Sequence, residues 1–203
     1  MKVAIIGAGN VGKALASSIT RAGHEVIISA RTPSSAQQAA TAVGVQAATS
    51  NTDAVDQADV VILAVPYAGG RQVADEIRDA VTGKTIVDVT NPLKPDYSGL
   101  ATEGTSAAEE LQQRLPAASV VKAFNTIFAT NQASPTTDID GYVAGDDAKA
   151  KQVVISLVES IGFAPVDVGG LSASRHLEGM AFLNIGLNAA NGWSWTSAWK
   201  LER

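Results

Sequence analysis

Six residues near the amino terminus, Gly7-Ala8-Gly9-Asn10-Val11-Gly12, constrain this chain more than any other feature. They follow a short apolar run rich in β-branched residues, Lys2 to Ile6, which reads as a buried parallel strand. They open a stretch from Asn10 to Ala22 that carries Val11, Ala14, Leu15, Ser18 and Ile19 on one helical face and is closed by Gly23. A strand, a G-x-G-x-x-G turn and a helix in that order give each glycine a role. Gly7 permits the tight turn, Gly9 lets a pyrophosphate approach the backbone, and Gly12 lets helix and strand pack closely. The helix start offers free N–H groups and partial positive charge to phosphates. A turn that merely needs glycine is the bland alternative, and the flanking strand and helix weigh against it.

The rest of the chain repeats the alternation. Strands are expected at Glu25 to Ser29, Val45 to Ala48, Asp59 to Val65, Thr85 to Val89, Ser119 to Phe124, Gly141 to Ala144 and Ala164 to Val168. Helices are expected at Ser34 to Val43, Arg71 to Val81, Ser106 to Leu115 and Asp147 to Ile161. Ser106 with Glu109 three residues on has the pattern of a capping box. This predicts an α/β, Rossmann-type, doubly wound and mostly parallel sheet covered on both faces. We expect an NADP-binding domain over residues 1–168, and a C-terminal helix and Trp-rich tail over 169–203 that completes an acceptor site.

Composition narrows the function. Cysteine is absent, which removes disulfides, thiolate metal sites and cysteine nucleophiles together. Only His24 and His176 are available, too far apart to suggest a histidine metal site, so none is expected. With a net charge of −5 and no Lys/Arg cluster, nucleic acid and anionic membranes are poor partners. No apolar run approaches the ~18 residues a bilayer span needs. The glycine motif follows the first six residues so closely that no signal peptide is expected, and a cytoplasmic protein is.

The end of the second strand chooses between dinucleotides. NAD proteins place an acid there, ~20 residues past the motif, for the ribose hydroxyls. This chain reads Ser29-Ala30-Arg31-Thr32, with Ser34 and Ser35 close behind. An acid would repel a 2′-phosphate, whereas Arg31 can pair with one and the hydroxyls add donors. We therefore expect NADP(H). Ala64-Val65-Pro66-Tyr67 and Thr90-Asn91 stand at the carboxyl ends of the fourth and fifth strands, where the nicotinamide half should lie. Asn125, Thr126 and Ile127 stand at the end of the sixth, Asn125 and Thr126 as positioning candidates. Lys122 in that strand is expected to be a solvated side chain at the sheet edge. Arg175 and Glu178, three apart, are expected to pair, and His176 to be structural rather than a general acid. Trp193, Trp195 and Trp199 either stack on a planar ligand or pack in a homodimer contact.

Several of these runs together resemble the coenzyme F-420-dependent NADP oxidoreductases. They are Gly7 to Gly12, Ala30-Arg31, Ala64 to Tyr67, Val143-Ala144-Gly145-Asp146-Asp147, and Asp167-Val168-Gly169-Gly170-Leu171 with Ser174-Arg175. The resemblance runs from Met1 to Leu201. The last run is its most specific part and is also similar to the reductase domain of membrane ferric reductases. Pyrroline-carboxylate reductases share the glycine loop but continue into a longer helical domain. The resemblance implies hydride transfer between the nicotinamide and a deazaflavin, stacked in a cleft under the C-terminal segment. It implies phosphate contacts at Ala8, Gly9, Asn10 and Val11, and 2′-phosphate contacts at Ala30 and Arg31 with Ser35 nearby. It puts Ala129 near the cofactor and Thr196, beside Trp195, near the acceptor ring. Three positions depart from the family: Ala30 replaces a serine, Asn125 a histidine and Phe128 a proline. A flavin or quinone is the alternative acceptor. A catalytically idle NADP(H)-sensing module that signals through its Trp-rich tail is the alternative function.

Overall fold

In the computed structural model, which describes residues 1–202, eight strands form one sheet in the order β3-β2-β1-β4-β5-β6-β7-β8. The strands are β1 (Lys2–Ile6), β2 (Glu25–Ser29), β3 (Gln46–Ala47), β4 (Val60–Leu63), β5 (Thr85–Asp88), β6 (Ser119–Lys122), β7 (Asp140–Gly145) and β8 (Ala164–Asp167). All neighbours are parallel except β6 and β7, which run antiparallel with Lys122 opposite Ala144. The chain leaves β1 in one direction for β2 and returns to its other side as β4. That reversal opens a crevice beyond the carboxyl ends of β1 and β4.

The helices are α1 (Asn10–Arg21), α2 (Pro33–Val43), α3 (Asn51–Asp56), α4 (Tyr67–Ile77), α5 (Ala107–Arg114), α6 (Ala129–Ala133), α7 (Ala148–Ser160) and α8 (Ser174–Asn191). Strand alternation sends Val3 and Ile5 to one face, where they meet Leu15 and Ile19 of α1, and Val154 and Leu157 of α7 lie in the same core. Ala4 and Ile6 go to the other face, whose core includes Val55 of α3, Ala74 and Ile77 of α4 and Ala108 of α5. Over the far end of the sheet, Leu177 of α8 packs with Tyr142 and Ala144, and Met180 and Trp199 close the edge.

Several boundaries differ from the sequence reading. Helix α3 lies in a stretch read as loop, capped by Ser50, whose hydroxyl accepts from the Asp53 N–H at 3.0 Å. Helix α4 starts at Tyr67 and not Arg71, because Pro66 with its fixed φ serves as its N-cap despite Gly69 and Gly70. Ser106 caps α5 as expected, accepting from Glu109 N, but the Glu109 carboxylate takes the Ser106 hydroxyl (2.8 Å) in place of a backbone N–H. Arg203, the last residue of the expected 169–203 segment, lies outside the described residues. Among the described residues no helix is long and apolar enough to cross a membrane.

Candidate functional site

The crevice begins at the glycine turn. Gly7 has φ +127°, and a Cβ there would stand 2.1 Å from the Ala64 carbonyl oxygen. A Cβ on Gly12 would stand 1.9 Å from the Gly7 oxygen. Backbone against backbone leaves no room at either position. Gly9 is different: a Cβ there meets nothing within 4 Å. Protein packing does not demand glycine at position 9, so the open face is the one a ligand would approach. Gly9 is also the N-cap of α1 and supplies no capping side chain, and the helix's first turn holds no acid. The free N–H groups and the positive end of the dipole therefore face the crevice and suit a phosphate.

Strand β2 ends at Ser29, buried, whose hydroxyl donates to Asn51 Oδ1 at 2.8 Å. The chain then leaves the sheet through Ala30 and Arg31. The Arg31 side chain is exposed and has no hydrogen bond or ion pair among the described residues. Thr32 caps α2, accepting from Ser35 N at 3.2 Å, with the Ser34 and Ser35 hydroxyls 3.2 and 2.8 Å from its own. An unpaired guanidinium beside three exposed hydroxyls, with no acid at the strand end, is a set of donors waiting for an anion.

At the other end, a cavity of about 110 Å³ joins Val11 of α1 to Val89 and Asn91 after β5, to the run Phe124–Ala129 after β6, and to Ala181, Asn184 and Ile185 of α8. Asn91, Asn125, Thr126, Ile127 and Ala129 thus come together around one cavity. Asn91 Nδ2 donates to the Asn125 carbonyl (2.9 Å), while Asn125 Nδ2 donates to Asn91 Oδ1 (3.0 Å) and to the Leu177 carbonyl (3.0 Å). That leaves Asn125 Oδ1 buried without a partner, and Gln132 Oε1 shares the condition. Both residues line the cavity. Buried acceptors of this kind are seldom left unpaired, and a carboxamide or ring N–H would satisfy them. Phe124 has φ +63°, uncommon for a bulky residue. The kink is held by its carbonyl, which accepts from Gln132 Nε2 and Ile127 N, both at 3.1 Å. Gln132 and Asn184 carried no sequence signal, because their meaning lies in contacts across the fold.

The tail closes beside this cavity. Trp195 (φ +58°) meets Phe128 edge-on, ring centroids 5.4 Å apart. Its carbonyl accepts from Thr130 Oγ1 (2.5 Å), and the Thr196 carbonyl accepts from Asn131 Nδ2 (3.0 Å). Ser197 is tied to Asn184 and Asn188 of α8, and Leu201 N donates to Asp140. The three Trp separate: Trp199 packs on the core, while Trp193 and Trp195 are about half exposed.

Two expectations need correction. Lys122 is not solvated at an edge: its strand lies between β5 and β7, and its side chain is 0% exposed, paired with Asp88 and Glu178 at 2.8 Å each. Arg175 and Glu178 do not pair, since Arg175 reaches Glu109 (2.5 Å) while Glu178 turns inward to Lys122. Val65 and Tyr67 are not among the residues that line the small cavity. They line a separate one of about 510 Å³ between α4 and α5. Tyr67 donates to Glu110 there at 2.8 Å, and burial followed by that carboxylate pushes its phenol up to about 12, so it remains protonated. His176 is exposed and lines neither cavity.

Comparison with known proteins identifies the family. A family model described as NADP oxidoreductase, coenzyme F420-dependent, matches residues 2–92. The F420-dependent NADP reductase of Methanothermobacter thermautotrophicus is 37% identical over 212 residues, covering 94% of this chain and 90% of the relative. Metalloreductase STEAP3 of Rattus norvegicus is 32% identical over 185 residues, 87% of this chain but only 36% of that much longer protein. A crystal structure from Arthrobacter sp. FB24, itself proposed to be an F420-dependent NADP reductase, superposes with a TM-score of 0.90 at 29% identity and covers 100% of both chains. On these grounds the chain belongs to the family of coenzyme F420-dependent NADP oxidoreductases.

Proposed function

We propose that this chain transfers a hydride between NADP(H) and a planar ring acceptor, with the deazaflavin coenzyme F420 as the acceptor to test first and flavins or quinones after it. The observation that carries the NADP assignment is Arg31, exposed and unpaired at the end of β2 where no acid stands. In this reading Gly7 to Gly12 bind the pyrophosphate, and Ala8, Asn10 and Val11 contribute the surface around it. Ala30, Arg31, Thr32 and Ser35 receive the 2′-phosphate. Asn91, Asn125 and Ala129 seat the nicotinamide end, and Ile127, Thr126, Trp195 and Thr196 border the acceptor. Ala64, Val65, Pro66 and Tyr67, in the turn after β4, border the nicotinamide half, Val65 and Tyr67 from the side of the larger cavity.

The bound dinucleotide supplies the hydride, and little side-chain chemistry is then required. The protein's work is to orient two rings and exclude water. The buried amides of Asn125 and Gln132 fit the first task, and the tail across Phe128 fits the second. Residues 1–168 act as the nucleotide domain and 169–203 as the cover of the acceptor site. Helix α8 leaves Leu183 (53%) and Leu187 (37%) exposed, with Trp193 (47%) just beyond it, which supports a homodimer through this face, working in the cytoplasm. Sedimentation at high micromolar concentration should show twice the 20.8 kDa chain mass, and a lone monomer would remove the dimer from this reading.

The decisive experiment follows loss of NADPH absorbance with deazaflavin, free flavins and quinones in turn. Turnover with one ring class and strong preference for NADPH over NADH is expected. Tight NADPH binding with no turnover on any of them would sink the hydride-transfer reading and leave a sensor.

A further inference from the structure

We propose that Lys122 is a positioning residue for this reaction: by bonding Asp88, Glu178 and the Thr90 carbonyl at once, it sets the Thr90–Asn91 loop against α8 and so fixes the seat of the nicotinamide. The inference rests on the hydride-transfer reading above.

An ammonium has three N–H donors and no acceptor. Lys122 Nζ uses all three within the fold, on Asp88 Oδ2 (2.8 Å), Glu178 Oε1 (2.8 Å) and Thr90 O (2.5 Å). These acceptors come from β5, from α8 and from the loop after β5, so one atom ties three parts of the chain. Both carboxylates are anchored again. Asp88 Oδ1 accepts from Thr90 N at 2.9 Å, which shapes the same loop. Both oxygens of Glu178 accept from Ala107 N, at 3.0 and 3.2 Å, at the start of α5.

The bonds close into a ring that meets the small cavity at Asn91 and Asn125. Thr90 is followed by Asn91, and Glu178 is preceded by Leu177. Asn125 bridges those two neighbours, donating to Asn91 Oδ1 and to the Leu177 carbonyl. The cavity walls at Asn91, Asn125 and Ala181 thus hang on a frame whose corner is Lys122. Stability does not explain the arrangement. Replacing a buried ion cluster by uncharged residues of similar size is often neutral or stabilising. Three directional bonds from one fully buried donor do give something an apolar residue cannot, which is a fixed orientation of loop and helix.

The test uses the full chain with Lys122→Met, Asp88→Asn and Glu178→Gln combined, so that no lone charge is left buried, and with Glu178→Gln alone. Four quantities are read: the melting transition, affinity for 2′,5′-ADP as the adenine half, emission of bound NADPH, and kcat and KM with the best acceptor. The combined variant should melt cooperatively and bind 2′,5′-ADP within about twofold of wild type. Its kcat should fall up to about 100-fold, the cost of a misplacement near 1 Å, with KM for NADPH changed only a few-fold, and its bound NADPH emission should move towards that of the free coenzyme. Glu178→Gln keeps an acceptor for Lys122 and should lose less in every readout. A combined variant with wild-type kcat and emission overturns the proposal. If that variant does not fold, unchanged kcat and emission in Glu178→Gln overturn it equally. A wild type inactive with every acceptor refutes the hydride reading, and the emission and 2′,5′-ADP arms still decide the role of Lys122.

Discussion

The two ends of the crevice are built in different ways. The end proposed for the nucleotide comes from one contiguous stretch, β1, α1 and β2, and its demands are on the backbone. Gly7 and Gly12 are glycine because a Cβ would strike main-chain atoms, and Gly9 opens onto empty space. The end proposed for the acceptor draws on Val89 to Asn91, Phe124 to Gln132, Ala181 to Ile185 and the tail at Trp195. Amide side chains and two bulky residues with positive φ hold it together. A contiguous backbone cradle holds a ligand part common to many enzymes. A seat assembled from distant side chains can change its ligand by changing one of them, so acceptor choice should reside at that end.

The largest effect expected of a single substitution separates the glycines. Gly12→Ala forces the Gly7 backbone to move and should cost about 3 kcal/mol or more in a denaturation experiment without cofactor. Gly9→Ala has room and an ordinary φ of −77°, so without cofactor it should be neutral or up to ~1 kcal/mol more stable. It should nevertheless bind NADPH less tightly. A Gly12→Ala chain that unfolds like wild type would break the packing half of this contrast. Undiminished NADPH affinity in Gly9→Ala would break the ligand half.

Arg31→Ala sharpens the comparison within the nucleotide end. One charge-assisted phosphate contact is worth ~1.5–3 kcal/mol, or roughly tenfold to a hundredfold in affinity. Titration should show that loss for NADPH and almost none for NADH. Equal losses would show that Arg31 does not read the phosphate.

Trp195→Gly addresses the other end. Glycine tolerates the positive φ at this position, so the tail keeps its path while the ring against Phe128 is lost. Turnover should drop roughly tenfold through poorer alignment, with NADPH affinity within about twofold. A drop in NADPH affinity as large as the drop in turnover would show that the two ends are not separable.

The difference between the ends also decides what could be read in the sequence. Gly7 to Gly12 and the acid missing beside Arg31 were legible because each rests on neighbours in the chain. Helix α3 carries a cap pattern in Ser50 and Asp53, but its six residues are too few to show a helical period. Lys122 differs from its expectation because a lysine inside an apolar strand looks like a side chain at a sheet edge. Its partners stand 34 and 56 residues away, and nothing local announces them. The reversal of β7 was hidden for a similar reason, since side-chain alternation is the same in either strand direction. Gln132 and the twisted backbone of Phe124 belong wholly to the assembled fold.

The smallest effect concerns the charge held in the Lys122 cluster. Burial raises the Glu178 carboxyl above its ordinary 4.5, against the pull of Lys122, and Asp88 adds to the rise. The folded chain therefore holds this proton more readily than the unfolded chain. Where the native state binds more protons, stability falls as pH increases. The fall should run from near 4.5 up to the raised value, with a slope of at most about 1.4 kcal/mol per pH unit. Asp53, Asp75, Glu109 and Asp167 are shifted the other way, chiefly by hydrogen bonds, so their stabilising contribution is lost only as pH falls below their ordinary range. Their signature lies on the acid side and has the opposite sign. His24 overlaps, because burial lowers its imidazole below 6.5 and makes stability rise with pH there. Urea midpoints should therefore be followed across pH in a His24→Asn background, with and without Glu178→Gln. Removing the titrating carboxyl should flatten the slope above 4.5 and leave the acid limb intact. A slope that survives Glu178→Gln would assign the proton to another group.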